Sequence, residues 1–216
     1  MKGLWKVETH CHTHASPDGL HSPAEVVAAA RRRGLDKLIV TDHNTLAGAL
    51  EAYHLAPDLV IVGEEVLTQA GELLAFYVRE EVPAGLPPQE ALARLRAQGA
   101  VISVAHPFDR WRQGHWSPRA LADLRPWVDA IEVFNARILW PGANRQAQRL
   151  AQRWGLPGTA GSDAHSAWEV GRAFTLLPPF ADAQGLREAL RQATWQGRVW
   201  GWWIHLISRY AAHRQR

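Results

Sequence analysis

The chain has little of what would mark an exported or membrane-bound protein. Its 216 residues include one cysteine, Cys11, so no disulfide can form within the chain, and a reducing compartment fits best. No apolar run approaches the roughly 20 residues that a membrane-spanning helix needs. The first residues also lack the long apolar stretch of a secretory signal. We therefore expect a cytoplasmic protein.

The sequence also lacks a strong charge of either sign. The formal net charge is +3 and the isoelectric point is near 9.4, but lysine and arginine are spread over most of the chain. This balance would suit an anionic ligand, although it is more often a solvated arginine-rich surface. No internal repeat or long linker interrupts the sequence, and hydrophobic residues make up 47% of it. The composition therefore predicts one globular domain.

Short apolar runs alternate with helical patterns along the chain. Strands are predicted from residue 7 and at 37–41, 59–62, 73–78, 101–104, 128–134, 158–160 and 173–177. Helices are predicted at 22–33, 45–54, 88–98, from 117, at 143–154 and at 183–196, the first with a capping box at its start. This alternation predicts mostly parallel strands with helices outside. A barrel is favoured, because a closed ring brings several strand ends to one point more readily than an open sheet does.

Histidine-bearing clusters follow four of the predicted strands. They are His10-Cys11-His12, Thr41-Asp42-His43, Ala105-His106-Pro107 and Ser162-Asp163-Ala164-His165. A hydrophobic core has no use for repeated imidazoles at its strand ends, whereas imidazoles and carboxylates bind transition metals. Because the carboxyl ends of barrel strands meet at one rim, the pattern predicts a multinuclear metal site. Cys11 alternates away from its neighbours in an extended segment and is expected in the core.

The ordered set of motifs resembles the signature segments of the PHP (polymerase and histidinol phosphatase) superfamily. The matching segments are Glu8-Thr9-His10-Cys11-His12, Asp18-Gly19, Thr41-Asp42-His43-Asn44-Thr45, Gly63-Glu64-Glu65, Ala105-His106-Pro107 and Gly161-Ser162-Asp163-Ala164-His165. Each segment is a weak signal by itself, but the ordered set, each member after a predicted strand, is specific. The resemblance implies a distorted seven-stranded β/α barrel, a (β/α)7 TIM-like fold, with two or three divalent ions and phosphoester hydrolysis.

The resemblance also implies which residues hold the ions. The first ion would be held by His10, His12, Glu65 and Asp163; the second by the bridging Glu65 and His106; and the third by Asp18, His43 and His165.

Two positions depart from the commonest pattern of the family. Glu8 stands where many members have aspartate, and Glu72 stands where many have a histidine ligand of the second ion. A carboxylate can serve at the position of Glu72, where it would favour manganese or iron over zinc. Both Asp18, which precedes Gly19, and Glu72 have simpler alternatives, a turn residue and a solvated strand end.

The ligand set suits manganese, iron or zinc better than magnesium or calcium, which prefer oxygen ligands alone. Two cations bridged by a carboxylate can share a water, lower its pKa and direct the resulting hydroxide at phosphorus. We therefore predict a metal-dependent phosphoesterase that acts on small phosphomonoesters or nucleotides. The predicted catalytic residues are Glu65, Asp163, His106 and Arg137.

Other functions and further ligands stay open. Candidates for binding phosphate at the strand ends are Arg110, Arg112, Asn135 and Arg137. An exonuclease or phosphatase of oligonucleotides is a second enzymatic hypothesis, which predicts strong salt dependence. A metal-binding module without catalysis is a third hypothesis, and the open ligand set argues against it.

The end of the chain is aromatic and basic, and we separate it as a tail, 201–216, from a barrel of residues 1–200. Its residues, with the tryptophan just before it, are Trp200, Trp202, Trp203, Ile204, Leu206 and Ile207, then Arg209, Tyr210, His213, Arg214 and Arg216. Such a segment could lie on a membrane or stack on nucleic acid. A terminal helix that docks its aromatic face on the barrel or on a second subunit is favoured.

Overall fold

The structure is a computed structural model that describes residues 3–112 and 114–214. The strands in these ranges are β1 (Trp5–Cys11), β2 (Lys37–Val40), β3 (Val60–Leu67), β4 (Glu72–Phe76), β5 (Val101–Val104), β6 (Ala130–Asn135), β7 (Gly158–Gly161), β8 (Ala173–Leu177) and β9 (Thr194–Gly197). The helices are α1 (Pro23–Arg32), α2 (Ala47–Leu55), α3 (Pro88–Ala97), α4 (Pro118–Ala122), α5 (Gly142–Trp154), α6 (Ala183–Leu190) and α7 (Ile204–Arg214). Arg216, the last residue of the predicted tail, lies outside the described residues.

The strands form one sheet that nearly closes into a barrel. Their order is β7-β6-β5-β4-β3-β2-β1-β8-β9. The end of β1 also bonds to the segment after β7, since Asp163 N donates to His10 O at 2.7 Å and His12 N to Ala164 O at 2.8 Å. The predicted TIM-like α/β barrel in a single domain is confirmed, with nine strands in the described residues where the family resemblance implies seven.

Half of the strand pairs are antiparallel, which is more than the sequence pattern predicts. The pairs β3–β4, β4–β5, β1–β8 and β8–β9 run antiparallel, and the other four are parallel. The connection from β3 to β4 is a tight turn in which Thr68 N donates to Gly71 O at 2.9 Å. So short a turn cannot hold the crossover that parallel strands need. As a result, the first residue of β4, Glu72, lies at the same rim as the ends of the parallel strands.

The predicted helix over 183–196 is wrong in its last part. Helix α6 ends at Leu190, and residues Thr194–Gly197 form β9, which pairs with β8. The aromatic and β-branched residues there favour a strand once a partner edge is available. Trp195 stacks on Phe134, with the ring centroids 4.9 Å apart.

Apolar side chains fill the barrel and the layer under the helices. Leu38 and Ile39 of β2, Leu74 of β4 and Ile102 of β5 are fully buried. Cys11 is also fully buried among aliphatic side chains, as its alternation in the strand predicts. In the described ranges, no helix is both long enough and apolar enough to cross a membrane.

Candidate metal centre

The residues that the sequence analysis selects as metal ligands come together at one rim of the barrel. They arrive from β1, from the loops after β2, β5 and β7, from β3, from the start of β4, and from the loop before α1. They are His10, His12, Asp18, His43, Glu65, Glu72, His106, Asp163 and His165. All are buried except Asp18 and His43, which are partly exposed.

Four side chains converge at the first predicted ion position. The Nε2 atoms of His10 and His12 are 3.1 Å apart, and the Oε2 atom of Glu65 lies 3.2 and 3.4 Å from them. The Oδ1 atom of Asp163 lies 3.6 and 3.4 Å from the same two nitrogens. Ligand atoms about 2.0–2.2 Å from a shared ion in tetrahedral arrangement are separated by roughly 3.3–3.6 Å. The spacing of these four atoms therefore matches one metal shell.

The hydrogen bonds of the two histidines leave their Nε2 atoms as acceptors. His10 Nδ1 is 2.8 Å from a carboxylate oxygen of Glu132, which can only accept, so Nδ1 carries the hydrogen. Ser16 gives its hydroxyl hydrogen to Asp42 at 2.6 Å and therefore accepts from His12 Nδ1 at 3.1 Å. In the neutral form that binds metal, both imidazoles present their Nε2 lone pairs to each other and to Glu65, and one cation between them would be shared by these donors.

Glu65 spans two ligand groups with its two oxygens. Its Oε2 atom faces His10 and His12, whereas its Oε1 atom is 3.0 Å from His106 Nε2. The Oε2 atom of Glu72 is 3.6 Å from the same nitrogen of His106. This geometry fits a carboxylate bridge between two ions.

A third group lies on the open side of the rim. His165 Nδ1 is 2.8 Å from the carbonyl oxygen of Asp163 and donates to it, which leaves Nε2 facing Asp18 Oδ2 at 3.0 Å. His43 Nε2 is 3.6 Å from Asp18 Oδ1, and His43 Nδ1 is 3.1 Å from Glu65. The nitrogens of His12, His43 and His165 can also share one ion.

Two supporting carboxylates were missed by the sequence analysis. Glu132 lies in β6, fully surrounded by protein, and also accepts from the backbone nitrogen of His106 at 2.8 Å. Asp42 accepts from Thr13 N at 2.7 Å and from Ser16. The signal for Glu132 was present in the sequence as a single charge in the middle of the apolar run Ala130–Asn135, where an unpaired carboxylate would be costly.

The backbone is strained at two of the candidate ligands. His106 has φ of 23° and Asp163 has φ of 52°, both in the left-handed region that side chains rarely adopt. Glu132 holds the His106 amide, and the carbonyl oxygen of His10 holds the Asp163 amide at 2.7 Å. Such strain concentrates at functional sites, where surrounding bonds stabilise it.

Charge pairing overrides burial at the centre of the cluster. Burial alone would raise the pKa of Glu65, but His10 and His43 hold that pKa well below its usual value. Burial together with His165 and His43 lowers the pKa of His12 well below its usual value, so this imidazole is neutral, the form that binds metal. Burial raises the pKa of Glu72, and the nearby carboxylate of Glu65 raises it further.

Three buried carboxylate oxygens at the rim lack a hydrogen-bond partner within the part of the chain that the structure describes. They are Asp18 Oδ1, Glu72 Oε2 and Asp163 Oδ1. Buried carboxylate oxygens without partners are costly. All three belong to the proposed ligand set, so the donors present fit divalent cations.

The four candidate phosphate ligands occupy different places. The guanidinium of Arg112 contacts the carboxylate of Asp163 within the cluster, and Asn135 Nδ2 donates to the same carboxylate at 3.0 Å. Arg137 pairs instead with Glu169 at 2.8 Å and contacts Ser208 of α7. Arg110 is exposed and lines a neighbouring cavity together with Phe108 and Trp140.

A cleft of about 560 Å³ opens over the candidate metal centre. The cluster residues Asp18, Glu72 and His165 form its floor, and His205 and Arg209 of α7 line one wall. Helix α7 is fixed there because His205 Nε2 donates to the carbonyl oxygen of Arg137 at 2.7 Å. The part of the tail that the structure describes therefore borders the candidate site.

Two family models match separate parts of this chain. Residues 8–94 match the family model described as PHP domain, and residues 141–194 match the one described as PHP-associated. The uncharacterized protein MJ0417 of Methanocaldococcus jannaschii is 33% identical over 172 residues, which cover 78% of this chain and 69% of that protein. A 5′-3′ exoribonuclease of Haemophilus influenzae is 41% identical over 66 residues, which cover 29% of this chain and 24% of that protein.

The fold is shared with a solved structure from Bacteroides vulgatus. That structure is a two-domain protein containing a predicted PHP-like metal-dependent phosphoesterase, and it superposes with a TM-score of 0.74 at 23% sequence identity. The match covers 90% of this chain and 65% of that one, so this chain spans less than two thirds of the solved protein. The family matches and the relative from Methanocaldococcus jannaschii show that this chain belongs to the PHP family.

Proposed function

We propose that this protein hydrolyses phosphoesters, with small phosphomonoesters or nucleotides as substrates. The observation that carries the proposal is the position of Glu65, whose two oxygens face two separate groups of histidines, at 3.2 Å from His10 and 3.0 Å from His106. A structural metal site needs one closed shell of four ligands. Several adjoining shells under an open cleft support catalysis instead.

The proposed ligands keep the groups of the sequence analysis. His10, His12, Glu65 and Asp163 would hold one divalent ion, His106, Glu65 and Glu72 a second, and Asp18, His43 and His165 a third. When bound, such ions polarise phosphoryl oxygens and lower the pKa of water toward neutrality. Manganese, iron or zinc suits this mixture of nitrogen and oxygen donors.

The protein's own residues orient the donors and bind the substrate. Hydrolysis joins a water oxygen to phosphorus and breaks the bond to the leaving oxygen, which takes a proton. Glu132 and Ser16 fix the ring orientation of His10 and His12 through the bonds described above. Arg112 is the cation nearest to the cluster, and a phosphoryl group in the cleft could accept its guanidinium in a bidentate pair. Arg137 stays a predicted catalytic residue, although Glu169 engages it at 2.8 Å.

Hydrolysis of p-nitrophenyl phosphate by protein loaded with manganese, iron(II) or zinc tests the proposal. We expect turnover with at least one metal and none after treatment with a chelator. The matched control is the Asp163→Asn variant, loaded and measured in the same way. Absence of turnover with all three metals on p-nitrophenyl phosphate and on a panel of phosphorylated metabolites would contradict the proposal and favour a non-catalytic metal-binding module.

An exonuclease or phosphatase of oligonucleotides is the second candidate function. The similarity to a 5′-3′ exoribonuclease over 66 residues supports it, as does the basic Arg209 on the cleft wall. This function predicts faster hydrolysis of a short oligoribonucleotide than of a mononucleotide and a steep loss of affinity with added salt. Equal rates on both substrates would favour the small phosphoester.

A further inference from the structure

An aromatic cavity of about 550 Å³ lies beside the cleft of the candidate metal centre. Its walls include Phe108 and Trp111 from the loop after β5, and Leu139 and Trp140 from the loop before α5. Trp111 is 78% exposed and Trp140 is 52% exposed. Two large indole rings that face solvent around one cavity are a costly arrangement unless a ligand covers them.

The cavity adjoins the cleft, because three residues line both. Asp109, Trp111 and Leu139 line both of them. A phosphoester whose phosphorus lies over the metal ligands can therefore extend its leaving group in this direction. On the wall formed by α7 the lining side chains are polar, among them His205 and Ser208. The apolar part of a substrate consequently has one favourable place among these surfaces, the aromatic cavity.

The position of the Trp140 ring is built into the chain. A Cβ atom added at Gly142 would lie 2.2 Å from Cζ2 of Trp140, so the indole rests directly on the backbone at the start of α5. Gly142 is the first residue of that helix, where alanine would otherwise stabilise the helix. The glycine thus leaves room for the ring beside the cavity.

We propose that this cavity binds the nucleobase of the substrate, so that the substrate of the metal centre is a nucleotide or the terminal nucleotide of an oligonucleotide. The inference rests on the proposed phosphoesterase function and narrows its substrate class. A planar base fits walls made of indoles, because stacking on aromatic rings is its strongest apolar contact and tolerates any base identity. Arg110 at the same cavity can add a cation–π contact to the ring or an ion pair with a second phosphate.

The test compares adenosine 5′-monophosphate with ribose 5-phosphate, which carries an anomeric hydroxyl in place of the base. Trp111→Ala and Trp140→Ala are each expected to lower kcat/KM for the nucleotide roughly tenfold, the size of one base-stacking contact, mainly through KM. The same variants should change kcat/KM for ribose 5-phosphate by less than about twofold, because their contact is with the base. Isothermal titration of the nucleotide into metal-free protein gives a second readout that does not need turnover.

Two further variants act as controls. Trp127→Ala removes an indole that is 40% exposed in the loop after α4 and does not line the cavity. This variant should leave kcat/KM unchanged for both substrates. Gly142→Ala should displace the Trp140 ring and lower the affinity for the nucleotide severalfold. The thermal midpoint of unfolding should stay equal or rise. A lower midpoint in the tryptophan variants with equal losses for both substrates would indicate a structural role and overturn the inference.

The failure of this inference can be distinguished from failure of the proposed function. If all variants hydrolyse both substrates and the ratio of the two kcat/KM values does not change, the base site is contradicted and the phosphoesterase function stands. If the nucleotide binds in a way that depends on the tryptophans but no phosphoester is hydrolysed, the base site stands and the phosphoesterase function is contradicted. Adding the dinucleotide pApA separates the two sources of the base: a higher kcat/KM than for the mononucleotide assigns the cavity to an oligonucleotide end.

Discussion

The two faces of strand β3 carry neighbouring glutamates in opposite electrostatic situations. Glu64 and Glu65 are both fully buried. Glu65 faces the cluster, where His10 and His43 hold its pKa well below the usual value. Glu64 points to the other face, where its carboxylate accepts from Val82 N at 3.1 Å and burial raises its pKa to about 7.

The difference shows that the partners of a buried carboxylate decide its charge, and that burial alone does not. Both side chains are withdrawn from solvent, but only Glu65 has histidine neighbours that can carry positive charge or bind metal. Strand alternation gives the two side chains these different surroundings although they are adjacent in sequence. Substitutions at four glutamates test this comparison.

The largest effect is expected for Glu65→Gln. The amide keeps the size of the side chain but loses the charge and one acceptor oxygen of the proposed bridge, so turnover should fall by roughly 1000-fold, or about 4 kcal/mol of barrier. Asp163→Asn should act similarly. Kinetics and elemental analysis of bound metal measure the loss, while far-UV circular dichroism should show a fold like that of the parent. Full activity in both variants would remove the proposed bridge.

The next effect concerns Glu132, which touches the cluster through His10 and the His106 amide. Glu132→Gln leaves an acceptor for the Nδ1 hydrogen of His10 but removes the negative charge that makes the Nε2 atom of His10 a stronger ligand. Metal affinity should therefore fall about 10- to 100-fold. Competition with a fluorescent chelator measures the affinity. An unchanged metal affinity would show that Glu132 is needed for packing alone.

Glu72→His should alter metal preference more than rate. Replacing a carboxylate by a neutral imidazole favours zinc over manganese, by about tenfold in relative affinity. The measurement is the metal content of protein equilibrated with equal concentrations of the two ions. Glu72→Gln is the matched control, since it removes the charge without adding a nitrogen donor. An identical metal ratio in parent and both variants would place Glu72 outside the ligand shell.

The smallest effect is expected for Glu64→Gln, which should leave turnover unchanged. Because the pKa of Glu64 is raised from 4.5 to about 7 by burial, the folded state binds more protons than the unfolded state between these values. The parent therefore loses stability as the pH rises from 4.5 to 7, and this loss is complete above 7. The glutamine variant does not titrate there. Its thermal midpoint relative to the parent, measured on chelator-treated protein, should rise from pH 5 to pH 8; a constant difference would contradict the cause assigned here.

Much of the site could be predicted from sequence because its residues follow strands in recognisable order. His10, His12, His43 and His106 each come directly out of or after a short apolar run, and these runs are strands in the structure. The proposed ligand set could therefore be written down before the geometry was known. That these residues bind metal in the predicted groups stays a prediction that the spacing of their donor atoms supports.

Elements that depend on distant partners were harder to predict. The strand β9 looked like the end of a helix, because its pairing with β8 is not visible in local propensity. Glu132 was overlooked because its function depends on His10, 122 residues away. The division into a barrel of residues 1–200 and a tail of 201–216 also stays a prediction, although α7 contacts Arg137.

By itself, the sequence determined the alternation of strands and helices, the capping box at the start of α1, and the types of donor atom at the strand ends, because these follow from local periodicity and chemistry. Only the tertiary structure decided which donors face one another, that β4 runs backward and brings Glu72 to the rim, and that two tryptophans from separate loops border one cavity. Closure of the barrel sets these relations, and it depends on hydrogen bonds between strands that are far apart in the chain.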